Sequence, residues 1–140
     1  MKIRVITLID GELEVTEVTN TLETFQGIVG GYIEIPLISK VLKQHNIDVV
    51  INGEGKYVEG LRPEIALVGK ETNSILDVVY GNCVFVSRVE SGNTVGLNDE
   101  QIEVVTEELK LSAMLHEDGE IKKDFLVKVL LVKYRQVNKK

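Results

Sequence analysis

The dipeptide Asp10-Gly11 constrains the fold of this chain more than any other feature. It separates two runs rich in β-branched residues, Lys2–Ile9 and Glu12–Val18. Aspartate followed by glycine tolerates the positive φ that a two-residue primed turn demands, so the chain opens as a β-hairpin. In its second arm Leu13, Val15 and Val18 do not keep to one side, which makes the alternation imperfect.

A short helix is predicted next. Asn20 can cap it with Glu23 as capping-box partner, and Leu22, Phe25 and Val29 form one apolar stripe. Gly30-Gly31 supplies the left-handed residue that closes such a helix. Tyr32–Ile38 reads as a strand whose Pro36 implies an edge or a strand end. Ser39 caps a brief helical turn through His45, and a strand Asp48–Ile51 runs into the turn signal Asn52-Gly53. From Lys56 to Lys70 the pattern is irregular, with Gly60, Pro63 and Gly69. Ile75–Tyr80 and Cys83–Val89 read as apolar strand segments broken or bulged at Gly81-Asn82. The best-signed helix follows: Asn98 caps, Gln101 sits at the box position, and Leu97 can staple against Ile102. A second hairpin turns at Asp118-Gly119 and ends in a strand, Phe125–Arg135. The fold class is α+β, one mostly antiparallel sheet with two main helices packed on it.

Composition excludes several classes. A chain of 140 residues suits one domain, and 44% hydrophobic with 27% charged residues is neither disordered nor collagen-like. A single cysteine excludes a disulfide scaffold and any multi-cysteine zinc site. No apolar run reaches ~18 residues and the N-terminus lacks a signal-peptide pattern, so no membrane role and a cytoplasmic location are expected. The net charge is −6. From Asn98 to Glu120 there are eight acids and one lysine, whereas Lys122–Lys140 holds seven basic residues against Asp124 alone. The overall acidity disfavours a nucleic-acid partner, and Phe125 and Tyr134 do not make the stacking pattern of a single-strand reader.

Few residues suggest chemistry. Gly27-Ile28-Val29-Gly30-Gly31 closes a helix and precedes a strand, the reverse of a phosphate loop, which opens a helix so that amides face the anion. The polar stretch Asn52-Gly53-Glu54-Gly55-Lys56 has two readings. It is a hairpin connection with glycines at positive φ, or a loop that sets Asn52, Glu54, Gly55 and Lys56 beside Arg62 to hold a small anion. His45 and His116 are far apart and in no metal-ligand spacing. Cys83, inside Val79–Val86, reads as a buried small hydrophobe rather than a nucleophile. No catalytic residue, metal site or cofactor is expected, and the chain reads as a non-enzyme. Glu100, Glu103 and Glu107 share one face of the predicted last helix, opposite Ile102, Val105 and Leu109, and offer a charged surface to a partner.

The order of four segments carries a resemblance. They are Val29-Gly30-Gly31-Tyr32-Ile33-Glu34, then Val49-Val50-Ile51-Asn52 running through Glu54-Gly55-Lys56, then Gly81-Asn82-Cys83-Val84-Phe85-Val86, then Leu97-Asn98-Asp99-Glu100-Gln101-Ile102. Together they resemble a small family labelled only as a domain of unknown function, encoded by phages and other bacterial mobile elements. The resemblance covers residues 1–110 as a family-like α+β domain and leaves 111–140 as a C-terminal β-hairpin addition packed on it. Gly53 stands where relatives usually carry an acid, and Glu64 where they tend to have Asn. The resemblance implies an accessory protein and no catalytic residues. The expected function is non-enzymatic binding of a host macromolecule, a host protein first of all, in an anti-defence or host-takeover role. The alternative is a small-ligand, nucleotide-type binder using the 52–56 loop and Arg62. A second alternative is a nucleic-acid accessory protein using the basic tail. A second copy of the chain could also pair along the apolar terminal strand.

Overall fold

A computed structural model of the chain describes residues 1–36, 40–58, 60–61, 63–68, 75–110 and 125–128. The side chains of 40, 56, 63, 66–68, 75–78, 110 and 125–128 lie outside that description. The fold is α+β, and every described strand pairing is antiparallel. The hairpin forms as expected. β1 (Lys2–Ile9) pairs with β2 (Glu12–Thr19) from Lys2↔Thr19 to Ile9↔Glu12, and Asp10 and Gly11 take φ of 52° and 84°.

α1 (Leu22–Val29) starts one residue later than expected. Thr21 is the cap, in extended conformation, its Oγ1 accepting the Thr24 N–H. Asn20 is engaged elsewhere, its amide donating to the Thr94 carbonyl. Leu22 stays exposed, so the buried stripe is Phe25 and Val29. Gly30, at φ 84°, ends the helix, and the N–H groups of Gly30 and Gly31 both donate to the Gln26 carbonyl.

β3 is only Ile33–Glu34, shorter than the expected Tyr32–Ile38, and Pro36 just beyond it offers no ladder donor. Ser39, the expected cap of the next turn, lies outside the described residues, and α2 is Lys40–Gln44. The remaining strands are β4 (Ile47–Asn52), β5 (Pro63–Val68), β6 (Ile75–Tyr80), β7 (Cys83–Arg88), β8 (Thr94–Val95) and β9 (Phe125–Lys128). β5 corrects the expectation of irregular chain between Lys56 and Lys70. Pro63 begins that strand, where a missing donor is tolerated, and of its partners β6 follows it directly while β9 is distant in sequence.

A second correction concerns the sheet, because the strands divide into two. One is six-stranded, in the order β2-β1-β7-β4-β3 with β8 also on β7; the other runs β6-β5-β9. The chain leaves the second sheet for the first at Gly81-Asn82. Gly81 takes φ 82°, and a Cβ there would meet Leu61 Cδ1 at 3.0 Å. Asn82 Oδ1 accepts the Asp10 N–H at 2.9 Å, which ties this corner to the hairpin turn.

The six-stranded sheet is covered on both faces. On one, Phe25 and Val29 of α1 meet Ile3, Val5, Val50, Val84 and Val86. On the other, Ile6, Leu8, Val49, Cys83 and Phe85 meet Leu42 of α2, Ile65 and Val79 of the second sheet, and Val105 and Leu109 of α3 (Asp99–Lys110). Cys83–Ser87 of β7 is therefore buried on both sides, which explains the apolar run Cys83–Val86. The turn Asp118-Gly119, His116 and the tail beyond Lys128 lie outside the described residues.

Candidate functional site

α3 is held by its first turn. Asn98 Oδ1 accepts the Gln101 N–H at 2.8 Å while Gln101 Oε1 accepts the Asn98 N–H at 2.9 Å, the reciprocal capping box expected from the sequence. Gln101 does more than cap. Its Nε2 donates to the His45 carbonyl and to Ser87 Oγ, both at 2.8 Å, and Ser87 Oγ donates to the Asn46 carbonyl. One buried side chain thus joins α3, β7 and the α2–β4 connection. Arg4 adds a further link, Nη2 to Asp99 Oδ1 at 2.8 Å and Nε to the Leu97 carbonyl. With Gln101, Val105 and Leu109 turned inward, Glu100, Glu103 and Glu107 all stand exposed. Sequence periodicity placed these three acids correctly on one face, and the tertiary bonds of Gln101 fix which way that face points.

The same network floors an open polar groove of ≈ 830 Å³ lined by Asn46, Ser87, Arg88, Glu90, Asn98 and Gln101 among others. Its deeper groups are already engaged with one another, and Arg88 pairs with Asp48 at 3.4 Å.

The 52–56 loop is organised around Asn52, which is buried. Asn52 Nδ2 donates to the Val29 carbonyl at 3.2 Å and Oδ1 accepts the Glu54 N–H at 2.8 Å. The Gly53 N–H donates to the Tyr32 carbonyl, and a 3-10 turn follows at Gly55–Tyr57. The glycines here do not take the positive φ expected of a hairpin connection. They answer to close approach. A Cβ on Gly55 would lie 2.8 Å from the Tyr80 carbonyl oxygen, and one on Gly53 would lie 3.4 Å from Glu34 Cβ. Glu54 is exposed, whereas the Lys56 side chain and Arg62 lie outside the described residues. Sequence reading missed the apolar surroundings of this loop: Tyr32, Ile35, Tyr57 and Val58 are all exposed. No local signal marks them, because tyrosine and β-branched residues near strands read as core.

Cys83 has no accessible surface, and burial above all, with the Glu64 carboxylate second, pushes its thiol well above the ordinary range. Such a thiol is a core group. His45 Nδ1 lies 3.0 Å from the Val41 carbonyl one helical turn back, and since a carbonyl only accepts, Nδ1 carries the hydrogen. Among the described residues no group of three or more His, Cys, Asp or Glu is placed to hold a metal ion. No helix among them is long and apolar enough to cross a membrane.

Residues 1–110 match the family described as a domain of unknown function (DUF3846). The chain belongs to this family. The DUF3846 match ends at the last residue of α3, and it takes in both the 52–56 loop and the α3 face. β9, which pairs with β5, lies beyond it. No curated protein and no solved structure matches the chain.

Proposed function

We propose that this chain is a non-enzymatic accessory protein of a phage or another bacterial mobile element. It acts in the host cytoplasm by binding a host protein, in an anti-defence or host-takeover role. The observation that carries the reading is the exposed glutamate row of α3 on a helix pinned through Gln101 and Arg4. Glu100, Glu103 and Glu107 are neighbours at three- and four-residue spacing, where like charges destabilise a helix by roughly 0.2–0.5 kcal/mol per pair. A basic partner surface is complementary to this exposed acidic face, and a helix already fixed in place loses little entropy on docking.

The small-ligand alternative draws on Asn52, Glu54, Gly55, Lys56 and Arg62. It is the weaker reading, because the Asn52 amide is engaged at both ends within the protein. Affinity capture from bacterial host lysate tests the main proposal. The wild-type chain should retain a stoichiometric protein that Glu100→Lys/Glu103→Lys/Glu107→Lys loses. Equal retention by both removes α3 from the interface.

A further inference from the structure

β2 lies at one end of the six-stranded sheet, and among the described residues no strand pairs with its outer side. Its register with β1 runs through eight pairs without a bulge. The connecting turn has two residues, both left-handed, so the flanking pair Ile9/Glu12 is a hydrogen-bonded one, and such pairs recur at every second position. Glu12, Glu14, Thr16 and Val18 therefore aim their N–H and C=O groups at β1. Those of Leu13, Val15 and Glu17, with the Thr19 N–H, point outward, where no described strand meets them; the Thr19 carbonyl already accepts the Thr21 N–H.

Side chains divide between the two faces with the same period. Leu13 and Val15 stand opposite Leu8 and Ile6, on the face covered by α3, and remain 38% and 50% exposed. Glu12 and Glu14 lie on the other face, opposite Ile9 and Thr7, and neither makes an ion pair with a described residue. Exposed edges are usually blunted by proline, a bulge or charged side chains, lysine above all. β2 has no proline, bulge or lysine, and its charges, Glu12, Glu14 and Glu17, are all of one sign, so they repel an acidic or like edge and not a basic one.

We propose that the outer edge of β2 is a docking site for an extended basic segment of a protein partner. The segment adds to the sheet as a further strand, with Lys or Arg side chains against Glu12 and Glu14 and apolar ones against Leu13 and Val15. Charge complementarity selects a basic occupant: an acidic strand is repelled, and a second copy would set two edges of three glutamates each side by side. The pleat dictates the alternation of basic and apolar residues. This surface is separate from the α3 row and does not depend on it.

The test is a fluorescence-anisotropy titration with a labelled eight-residue peptide of alternating Lys and Val. A control peptide is N-methylated at alternate residues and so keeps its charge but loses its ladder donors. The full chain should bind the first peptide and bind the control at least about tenfold more weakly. Val15→Pro removes an outward N–H and leaves the β1 ladder intact, so it should weaken binding to the same degree. Glu12→Gln/Glu14→Gln should weaken it severalfold, and it decides the matter, with the control peptide, where circular dichroism shows Val15→Pro unfolded. The proposal is overturned by no binding, by equal binding of both peptides, or by unchanged affinity in a folded variant. A dimer that Val15→Pro dissolves, without peptide binding, would assign the edge to a second copy and overturn it equally. Peptide binding that appears only once residues 129–140 are removed would assign the edge to the chain's own basic tail and overturn the proposal.

Discussion

Gln101 satisfies three separate parts of the protein with one side chain: the Asn98 N–H, the His45 carbonyl and Ser87 Oγ. Leucine is close in size and can make none of these bonds. Gln101→Leu should therefore cost about 3 kcal/mol, combining a lost capping interaction with buried groups left unpaired. Urea unfolding reads this directly, and a loss below about 1 kcal/mol would show the network to be incidental. Cys83 makes a prediction of opposite character. Its thiol is held neutral by burial, so the folded chain should resist thiol reagents until it unfolds. In the unfolded chain the thiol ionises from roughly pH 8.5. Above that pH the unfolded state binds fewer protons than the folded one, so stability falls as pH rises, by ~1.4 kcal/mol per unit from this group. Cys83→Ala should abolish that component, measured as the difference between the two stability curves. A Cys83→Ala curve parallel to wild type above that pH would contradict it. Both residues were legible in the sequence for what they do locally, a capping box and an apolar thiol. The bonds from Gln101 to His45 and Ser87 were not, since they depend on chain 56 and 14 residues away.

At the scale of the element, the glycines near the end of α1 have different reasons to be glycine. Gly30 takes φ 84°, a conformation closed to most side chains, whereas Gly27 is helical, exposed and has nothing within 4 Å of a built Cβ. Gly27→Ala should then raise stability by about 0.5–1 kcal/mol, and Gly30→Ala should lower it by about 1 kcal/mol. Thermal unfolding of the two variants checks the pair, and like signs would show the cap to be wrongly assigned. The cap itself, the Asp10-Gly11 hairpin and the Asn98–Gln101 start of α3 were readable because each is decided within a few residues. The shift of the α1 cap from Asn20 to Thr21 was not, because Asn20 is drawn away by Thr94, 74 residues distant. β5 was hidden for a related reason. Gly60 and Pro63 look like loop, and the strand forms only because β6 and β9 flank it.

Across the whole molecule, the sequence pointed to an α+β fold but not to two sheets. Gly81-Asn82 between two apolar runs looks like a bulge, yet it is the corner at which the chain changes sheet. That rearrangement puts α1 and α3 on opposite faces of the larger sheet. It leaves the solvent face of α3 and the outer edge of β2 as acidic surfaces, while Asn52, Gln101 and Cys83 are buried. Of the expected site residues, the α3 acids were legible from helical period alone. Asn52 and Gly55, singled out from the sequence as ligand-binding, serve packing at the α1 and Tyr80 contacts. Surface charge held by a rigid frame is thus what this chain offers a partner in the proposed function, and one paired measurement tests it. Glu100→Gln/Glu103→Gln/Glu107→Gln removes the charge and keeps the shape, and its melting temperature and lysate capture can be compared with wild type side by side. The variant should still unfold cooperatively, with a melting temperature within a few degrees of wild type, and should lose the retained partner. Full retention by the neutral variant would contradict that reading.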